Sequence, residues 1–586
     1  MMTDLIARAA AWRDADPDPQ TRAELDRLLA SGDTAALAER FDGSLAFGTA
    51  GIRAEIGAGP MRMNRMVVGR VAAGLASYIA ASDPAAATAG VVVGYDGRTN
   101  SAVFARDAAR ILSRAGVSVS MMPGPLPTPL TAFAVRHRHA AYGFMVTASH
   151  NPRQYNGIKV YVHDGGQLLP PQDEEIAAVI NAVQAPPAGW AEGPFEFTSA
   201  DDSVTAYLAA VAARGLPTPG DRQLKVVHTA LHGVGDGTLR AVFAKAGWPA
   251  PVPVTAQQQP DPDFPTAYYP NPEEPGVLDL ARETAERAGA DLVLANDPDA
   301  DRLAVMVPGP DGWQALTGDE LGALLGDAVL TRLARGEPVT DPGGRPPVVA
   351  TTVVSGSLLR RLADAAGVRC VTTLTGFKWV ARAGGDDALI YGYEQALGYT
   401  VRPDLVADKD GISAALLALQ LATEEAQRGR TLLDRLDDLA LTHGLHVTSL
   451  RTLKADGETG LAQLNDAVEQ VRKEPPRLLA GQPVTVTDLL EDTPGVVDLA
   501  GGLPERAPGT PLPPADVLIW QAGGDARVMI RPSGTEPELK IYAEVVRRVG
   551  SRAELAAARA SAADQAEQMM ATAAAALESS IKGSPS

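Results

Sequence analysis

Ser149 stands in a polar loop of a kind that could do chemistry. The loop 147–152 reads Thr-Ala-Ser-His-Asn-Pro and directly follows the apolar run 143–146. A serine hydroxyl on such a loop can carry a covalent group. The hexapeptide alone is also an ordinary turn, because Asn-Pro pairs favour turns and a turn serine commonly bonds to its own backbone. The role of Ser149 therefore depends on which other residues converge on it.

A second loop concentrates negative charge in Asp297, Asp299 and Asp301. Carboxylates this close repel one another, and a hard divalent cation such as Mg²⁺ relieves the repulsion. An EF-hand is excluded, because Arg302 stands where that motif has Gly and Pro308 stands where it has Glu. A solvated acidic turn is the structural alternative. Arg302, directly after the acids, indicates a phosphate partner nearby.

A third candidate loop lies near the end of the chain. It combines a guanidinium, hydroxyls and a glycine in Arg531, Ser533, Gly534 and Thr535. These groups suit a loop that grips a phosphate dianion, although an ordinary hairpin turn explains the peptide equally well. The loop lacks the Lys of a Walker motif, so nucleoside triphosphate chemistry is not indicated.

The composition excludes several classes of partner. The chain has 586 residues, of which 71 are Asp or Glu and 52 are Lys or Arg, so its formal net charge is -19. This charge opposes general binding to nucleic acid or to anionic membranes. The sequence has no apolar run of membrane-spanning length, and its first residues lack the basic start and apolar core of a signal peptide. We therefore expect no nucleic-acid partner, no membrane partner and a cytoplasmic location.

The elements that must position these loops follow an alternating pattern. Apolar runs typical of strands alternate with Ala- and Leu-rich helical stretches, which predicts α/β domains with largely parallel sheets. Predicted strands end directly before polar loops that begin at Thr147, Asp297 and Glu394. Ligands bind at the carboxyl ends of strands in such sheets, so these loops would face one cleft if the domains pack side by side.

The last region differs from the others. Short predicted strands at 517–521, 527–530 and 539–546 precede a predicted helix over 552–577. Strands grouped in this way indicate a smaller α+β domain.

Ordered motifs over most of the chain resemble the α-D-phosphohexomutase family, the phosphoglucomutases and phosphomannomutases. The motifs occur in family order at 48–53, around Ser149, and at 297–302, 375–379, 392–399 and 531–537. Further stretches, at 231–235, 260–266 and 270–273, are similar to the branch that includes phosphoglucomutase-2 and phosphopentomutase-type enzymes.

The resemblance implies a particular architecture. It consists of three similar α/β domains with mixed, largely parallel sheets, plus a C-terminal α+β domain, around a central cleft. The expected boundaries are 1–205 for the phosphoserine domain, 206–313 for the metal domain, 314–440 for the sugar domain and 441–586 for the phosphate domain.

The resemblance also implies a covalent mechanism. Ser149 would be held as a phosphoserine, and Asp297, Asp299, Asp301 and the phosphoserine oxygen would bind Mg²⁺. The phosphoserine would donate its phosphoryl group to a sugar monophosphate. The resulting sugar 1,6-bisphosphate, as intermediate and activator, would turn around and return its other phosphate to Ser149.

Basic residues would assist this transfer. Arg53, His150 and Lys159 are similar to the family's active-site basic residues beside the phosphoserine. Lys159 is favoured as the general base and acid, and would need a depressed pKa, with Arg53 and His150 shaping the electrostatics.

The remaining site residues would bind the substrate. Arg302 and the motif containing Thr375, Gly376 and Lys378 would contact it, and Glu394 would grip sugar hydroxyls. The sequence departs from many mutases at Ala396, where those enzymes have a serine, so the discrimination among sugars is in doubt. Arg531, Ser533, Gly534 and Thr535 would hold the non-transferring phosphate.

The sequence therefore predicts an isomerase that interconverts glucose 1-phosphate and glucose 6-phosphate. Phosphopentomutase and phosphomannomutase activities are the enzymatic alternatives, and a catalytically silent sugar-phosphate sensor is the alternative from another class. The intact Ser149, Lys159 and aspartates weigh against a sensor. The expected partners are small-molecule sugar phosphates, and a monomer and a homodimer are equally compatible.

Overall fold

The structure is a computed structural model that places most of the chain in two compact units. It describes residues 2–48, 51–82, 84–213, 224–337, 339, 344–455, 457–490, 505–507, 510–511, 514–523, 525–532 and 538–583. The first unit comprises Met1–Ala315 and Gly398–Gln427, and the second comprises Leu316–Leu397 and Arg428–Ser586. The segment 398–427, expected within the sugar domain, thus contacts mainly the first unit. The domain boundaries 1–205, 206–313, 314–440 and 441–586 remain predictions.

The first unit opens with helices that form a small core of their own. The helix Pro19–Ser31 starts with Pro at its first position, and the side chain of Asp18 caps it by accepting a hydrogen bond from the backbone of Gln20. The helices are Met2–Ala15, Pro19–Ser31 and Thr34–Phe41. Their buried apolar side chains form a cluster with Ala58: Leu5, Ala9, Leu25, Leu37 and Phe41.

A mixed sheet follows, and it carries the serine loop. Its strands lie in the order Ile52–Glu55, Tyr155–Val162, Tyr142–Val146, Val91–Tyr95, Val119–Met121, Thr198–Ser199. Val91–Tyr95 is parallel to both of its neighbours, whereas Tyr155–Val162 is antiparallel to both of its own. The accompanying helices are Arg65–Ser82, Pro84–Ala89, Ser101–Arg114, Thr128–His137, Gln172–Ala182 and Asp201–Ala212.

A second mixed sheet of the first unit carries the acidic loop. Its strands lie in the order Gly312–Ala315, Ala304–Gly309, Leu292–Ala295, Val226–Thr229, Val252–Pro253. The strand Ala304–Gly309 follows the acids where an EF-hand would have a helix, which agrees with the exclusion of that motif. The other elements in this part are the helices Gly235–Lys245, Asp279–Ala288 and Gly411–Gln427, the 3-10 turn Thr255–Gln257 and the strand Gly398–Thr400.

The serine loop and the acidic loop each connect a parallel strand to an antiparallel strand. The serine loop joins Tyr142–Val146 to the antiparallel Tyr155–Val162, and the acidic loop joins Leu292–Ala295 to the antiparallel Ala304–Gly309. In the first hairpin Met145 lies opposite Lys159. The change from parallel to antiparallel pairing therefore turns the chain back beside each loop and places Lys159 one strand away from Ser149.

The second unit contains a parallel sheet and an antiparallel sheet. The parallel strands lie in the order Arg369–Thr373, Pro347–Thr352, Ala388–Glu394, with the helices Gly318–Ala334, Leu358–Ala365 and Phe377–Val380. The antiparallel order is Leu445–Lys454, Glu538–Arg547, Ala526–Pro532, Leu518–Ala522, Gln482–Asp488, Leu478–Leu479. The helices Leu432–His443, Gly457–Lys473 and Arg552–Gly583 and the strands Glu505–Ala507 and Thr510–Pro511 complete the unit.

These sheets confirm the predicted fold class. Three α/β sheets are mixed or parallel, and the last sheet, among the described residues, is antiparallel with helices packed on it. No helix within the described ranges is both long enough and apolar enough to cross a bilayer.

The buried carboxylate of Glu544 connects the antiparallel sheet with the segment that follows the strand Pro347–Thr352. Glu544 Oε1 accepts hydrogen bonds from the backbone nitrogen of Ser357 at 2.7 Å and from His446 Nδ1 at 2.9 Å. Its Oε2 accepts from Arg527 Nε at 2.7 Å, and Arg527 Nη2 also donates to the carbonyl of Ser355 at 2.7 Å. Burial would raise the pKa of Glu544, but the Arg527 guanidinium and the His446 hydrogen bond outweigh burial and lower it.

Replacement of Glu544 by Gln should destabilise the second unit by about 3 kcal/mol, because it leaves a buried guanidinium without its counter-charge. Chemical denaturation measures the free energy of unfolding. The control is Glu567→Gln, which breaks an exposed pair with Arg451 and should cost less than about 1 kcal/mol. The folded-state pKa of Glu544 is below its unfolded value, so its stabilising contribution is lost as the pH falls. Equal effects of both substitutions would contradict the prediction.

Candidate active site

Ser149 is held in a left-handed backbone conformation. Its φ is 53°, a value that non-glycine residues adopt at a free-energy cost. The Ser149 backbone nitrogen donates a hydrogen bond to Thr147 Oγ1 at 2.8 Å, and the residue is only 2% exposed. The surrounding contacts must therefore hold the hydroxyl in one direction.

The guanidinium of Arg98 supplies most of these contacts. Its Nη2 donates to the carbonyls of Ser149 at 2.6 Å and Asn151 at 2.5 Å. Its Nη1 donates to the carbonyls of Pro152 at 2.9 Å and Tyr155 at 3.2 Å. A planar cation with several donors can close a loop in this way, whereas an ammonium cannot reach as many acceptors. Arg98 therefore clamps the backbone of the serine loop.

Sequence analysis missed Arg98, although a signal was present. Asp96 and Arg98 directly follow the strand Val91–Tyr95, at the same sheet edge as the serine loop. Asp96 Oδ2 lies 3.4 Å from Arg98 Nε. The guanidinium lies over the ring of Phe264, 4.9 Å from the ring centroid. The rule that was applied to Ser149, Asp297 and Glu394 would also have identified this polar strand end.

The acidic triad is fully buried. One carboxylate oxygen each from Asp297, Asp299 and Asp301 lies within 4.8 Å of the others. Burial and the charges of the other two acids raise the pKa of Asp297 well above its usual range. This arrangement excludes a solvated acidic turn, because none of the carboxylates faces water.

The triad fits a cation. Asp299 Oδ1 and Asp301 Oδ1 are buried and have no hydrogen-bond partner among the described residues. Oxygen ligands of this kind are those that Mg²⁺ prefers. A bound cation would relieve both the unpaired oxygens and the repulsion among the three charges.

Lys159 pairs with this triad, and the prediction of a depressed pKa is wrong. Its Nζ donates to Asp299 Oδ2 at 2.8 Å and to Asp301 Oδ2 at 2.7 Å. Burial would lower the pKa of Lys159, but the two carboxylates outweigh burial and raise it. Burial would likewise raise the pKa values of Asp299 and Asp301, whereas the charge of Lys159 lowers them. Lys159 is thus an ammonium in this geometry.

Lys409 is a second cation that sequence analysis missed. Its Nζ lies 3.4 Å from Asp301 Oδ2. The flanking acids anchor its segment, because Asp408 accepts a hydrogen bond from Tyr161 and Asp410 accepts one from Tyr207. The alternating charges of this Asp-Lys-Asp sequence were a signal, but the residue lies more than one hundred positions beyond the triad in the chain.

The serine hydroxyl connects the loops. Ser149 Oγ donates to Asp297 Oδ2 at 2.9 Å and lies 3.1 Å from His150 Nδ1. Burial, and then the positive charges of Arg302 and Arg53, lower the pKa of His150 well below its usual value. The hydroxyl is therefore in contact with an acidic triad on one side and a neutral imidazole on the other.

The two predicted arginines border this group. Arg53 is exposed, and its Nη1 lies 3.5 Å from Asn151 Oδ1. Arg302 Nη1 lies 3.6 Å from Glu273, and its backbone nitrogen donates to Asp297 Oδ1 at 3.0 Å. Both guanidinium groups lie near enough to His150, the neighbour of Ser149, for their charges to lower its pKa.

The remaining predicted residues belong to the second unit. Gly376 has a φ of 107° and directly precedes the helix Phe377–Val380, and Glu394 ends the strand Ala388–Glu394. The partly exposed predicted residues of this unit are Thr375, Gly376, Lys378, Glu394, Ala396 and Arg531. Ser533, Gly534 and Thr535 of the predicted phosphate loop lie outside the described residues, as do positions 49 and 50 of the first motif.

Comparison with known proteins gives consistent matches along the chain. The models for phosphoglucomutase/phosphomannomutase match as alpha/beta/alpha domain I over residues 44–186, domain II over 205–310, domain III over 317–440 and the C-terminal domain over 520–563.

Individual relatives carry different names. A phosphopentomutase from Mus musculus is 33% identical, over 92% of this chain and 90% of its own. A phosphoglucomutase from Staphylococcus epidermidis is 32% identical, over 86% and 91%. A Haemophilus influenzae protein named as a probable phosphomannomutase is 37% identical, over 82% and 93%. The crystal structure of a phosphoglucomutase/phosphomannomutase family protein from Burkholderia thailandensis shares the fold, with a TM-score of 0.65 and 20% identity over 92% and 98% of the two chains.

Replacement of Arg98 by Lys should loosen the serine loop while keeping a positive charge beside Asp96. We expect faster amide hydrogen exchange in residues 147–155, because an ammonium cannot bond to all four carbonyls. Hydrogen exchange with mass spectrometry measures the change. The control is Arg153→Lys, whose side chain is 57% exposed and should leave exchange unaltered. Unchanged exchange in the Arg98 variant would show that the clamp is not needed.

Proposed function

The chain belongs to the phosphoglucomutase/phosphomannomutase family, and we propose that it interconverts glucose 1-phosphate and glucose 6-phosphate through a phosphorylated Ser149. The observation that carries this proposal is the contact of Ser149 Oγ with Asp297 beside the buried triad and Lys159. A positioned serine next to a cation site suits the transfer of a phosphoryl group, because such catalysis depends on positioning and on stabilisation of charge.

Each half of the reaction moves one phosphoryl group. In the first half, the oxygen of a free hydroxyl of the sugar monophosphate bonds to the phosphorus on Ser149, the bond from phosphorus to Ser149 Oγ breaks, and the proton of the sugar hydroxyl ends on Ser149 Oγ. The second half reverses these changes at the other end of the sugar 1,6-bisphosphate. Ser149 thus ends phosphorylated again, and the sugar is isomerised.

The acidic triad would hold Mg²⁺ through Asp297, Asp299 and Asp301. When bound, the cation supplies positive charge that stabilises the transferring group. The chain adds charge of its own, because Lys159 and Lys409 contact the triad. Arg53 and Arg302 would meet the substrate's anionic groups.

Lys159 would transfer the proton, and His150 would shape the electrostatics around Ser149. The two carboxylates raise the pKa of Lys159, so its ammonium would donate a proton to the departing oxygen more readily once they are partly neutralised. Lys159 could accept a proton only after Asp299 and Asp301 are partly neutralised, because their charges raise its pKa. His150 is neutral and lies 3.1 Å from Ser149 Oγ, so it would shape the electrostatics without adding charge.

The second unit would supply sugar and phosphate contacts. Thr375, Gly376 and Lys378 would form a substrate loop, and Glu394 would accept hydrogen bonds from sugar hydroxyls. Their partial exposure leaves them available for these contacts. Arg531, together with Ser533, Gly534 and Thr535, would bind the phosphate that is not being transferred.

A phosphopentomutase activity is the second candidate. Relatives with this name match over almost the full length of both chains, as closely as the glucose-named relatives do. Ala396 supports keeping this candidate, since it offers no hydroxyl to a hexose.

Replacement of Ser149 by Ala should abolish turnover, because no other described side chain occupies the position of the phosphoryl carrier. Intact-mass analysis of the wild type should show one phosphate, and the variant should show none. The control is Ser77→Ala on the exposed face of the helix Arg65–Ser82, which should keep both the phosphate and the activity. Normal turnover by the Ser149 variant would refute covalent transfer.

Replacement of Ala396 by Ser should change the preference among sugars. A new hydroxyl contact is worth about 0.5–1.5 kcal/mol, which corresponds to roughly two- to thirteenfold in the ratio of kcat/KM values. Parallel assays with glucose, mannose and ribose 1-phosphates measure this ratio. The exposed Ala366→Ser serves as control. An unaltered ratio in the Ala396 variant would place sugar specificity elsewhere.

A further inference from the structure

The buried His228 contacts the residue that precedes the acidic loop, and it has no part in the mechanism above. His228, on the strand Val226–Thr229, is 1% exposed. Its Nδ1 lies 3.2 Å from Asp236 Oδ1 and its Nε2 lies 3.0 Å from Asn296 Oδ1. Asn296 directly precedes Asp297, so one end of this contact chain reaches the triad.

The amide of Asn296 can face His228 only with its oxygen. Its Nδ2 donates to the carbonyl of Arg302 at 2.7 Å. The same nitrogen packs closely against Gly411, where an added Cβ would lie 2.7 Å from it. The amide therefore spans the acidic loop from its first residue to its last, and its oxygen is left for the imidazole.

The orientation of the Asn296 amide determines the direction of the hydrogen bond at His228 Nε2. An amide oxygen has no hydrogen to offer, so Nε2 donates to Asn296. Burial would raise the pKa of Asp236, but its hydrogen bonds with His228 and Gln258 outweigh burial and lower it.

The acidic loop needs such support. Asp297, Asp299 and Asp301 repel one another when no cation is bound, and this repulsion opposes the closed conformation of the loop. The contact from Asn296 Nδ2 to the carbonyl of Arg302 opposes opening of the loop, and so does the bond from the Arg302 nitrogen to Asp297. A rotation of the Asn296 amide would break the first of these contacts.

We propose that His228 is a positioning residue for the cation site. It fixes the amide of Asn296 and thereby strengthens cation binding by the triad. Asp236 orients the imidazole, the imidazole orients the amide, and the amide closes the loop that carries the triad. Partners one contact removed from metal ligands commonly change metal affinity in this way. The proposal rests on the cation site of the proposed function, so its test measures cation binding as well as turnover.

Two substitutions of His228 test the contacts of its two ring nitrogens separately. The amide of Gln reaches about as far from the backbone as Nε2, so His228→Gln keeps a donor for Asn296. The amide of Asn reaches about as far as Nδ1, so His228→Asn keeps a donor for Asp236 and loses Asn296. Mn²⁺ serves as the probe, and electron paramagnetic resonance of free Mn²⁺ gives the affinity of the full-length protein.

We expect the Gln variant to bind Mn²⁺ nearly as well as the wild type and the Asn variant to bind about tenfold more weakly. A purely structural role would affect both variants alike, and equal affinities would overturn the proposal. If the Asn variant does not fold, Asn296→Leu replaces it and should show the same loss, whereas unaltered affinity would overturn the proposal.

Turnover distinguishes this proposal from the proposed function. A wild type that binds Mn²⁺ but isomerises no sugar phosphate would refute the mutase function, and the comparison of the two His228 variants would still decide the role of His228. A wild type that binds no Mn²⁺ would overturn both proposals.

Discussion

The burial of three carboxylates within 4.8 Å of one another is the constraint on which the rest of the site depends. Such a cluster is stable only if nearby positive charge compensates it. Lys159 and Lys409 supply part of that charge, and one oxygen each of Asp299 and Asp301 accepts no hydrogen bond among the described residues and could bind a cation. The ammonium of Lys159 and a bound cation would compete for the same carboxylates. The pKa of Lys159 is thereby coupled to cation binding by the triad. This coupling is a physical reason for one site to combine a lysine with a cation-binding triad.

The sheet topology explains how residues far apart in the chain meet. Each functional loop of the first unit is a hairpin between a parallel strand and an antiparallel one, so the returning strand passes beside the loop. Lys159 reaches the site by its position on such a returning strand. The left-handed conformations of Ser149 and Ala300, both with a φ of 53°, mark the points where each hairpin turns sharply. The hydrogen bonds of Arg98 stabilise the first turn, and those that link His228, Asn296 and Arg302 stabilise the second. Strained loops persist only when surrounding contacts hold them.

Much of the fold follows from local sequence patterns. The predicted helix at 552–577 corresponds to Arg552–Gly583, and the predicted strand at 517–521 corresponds to Leu518–Ala522. The helix is rich in Ala, a strong helix former, and the strand is a run of mostly buried residues. The strand Leu445–Lys454 was not predicted, because its burial pattern shows no alternation and its pairing with Glu538–Arg547 decides its structure. Contacts of that kind are absent from a local pattern.

The sequence by itself determined the chemistry that is available: the serine, the triad, the basic partners and the strand ends that carry them. These features are readable because residue type and local spacing determine them. Tertiary structure decided which charges face each other. It paired Lys159 with Asp299 and Asp301, which reverses the direction expected for its pKa, and it brought Arg98 and Lys409 to the site. The reason is that pKa values and loop geometry depend on burial and on distances of a few ångströms, which the order of residues along a chain does not specify.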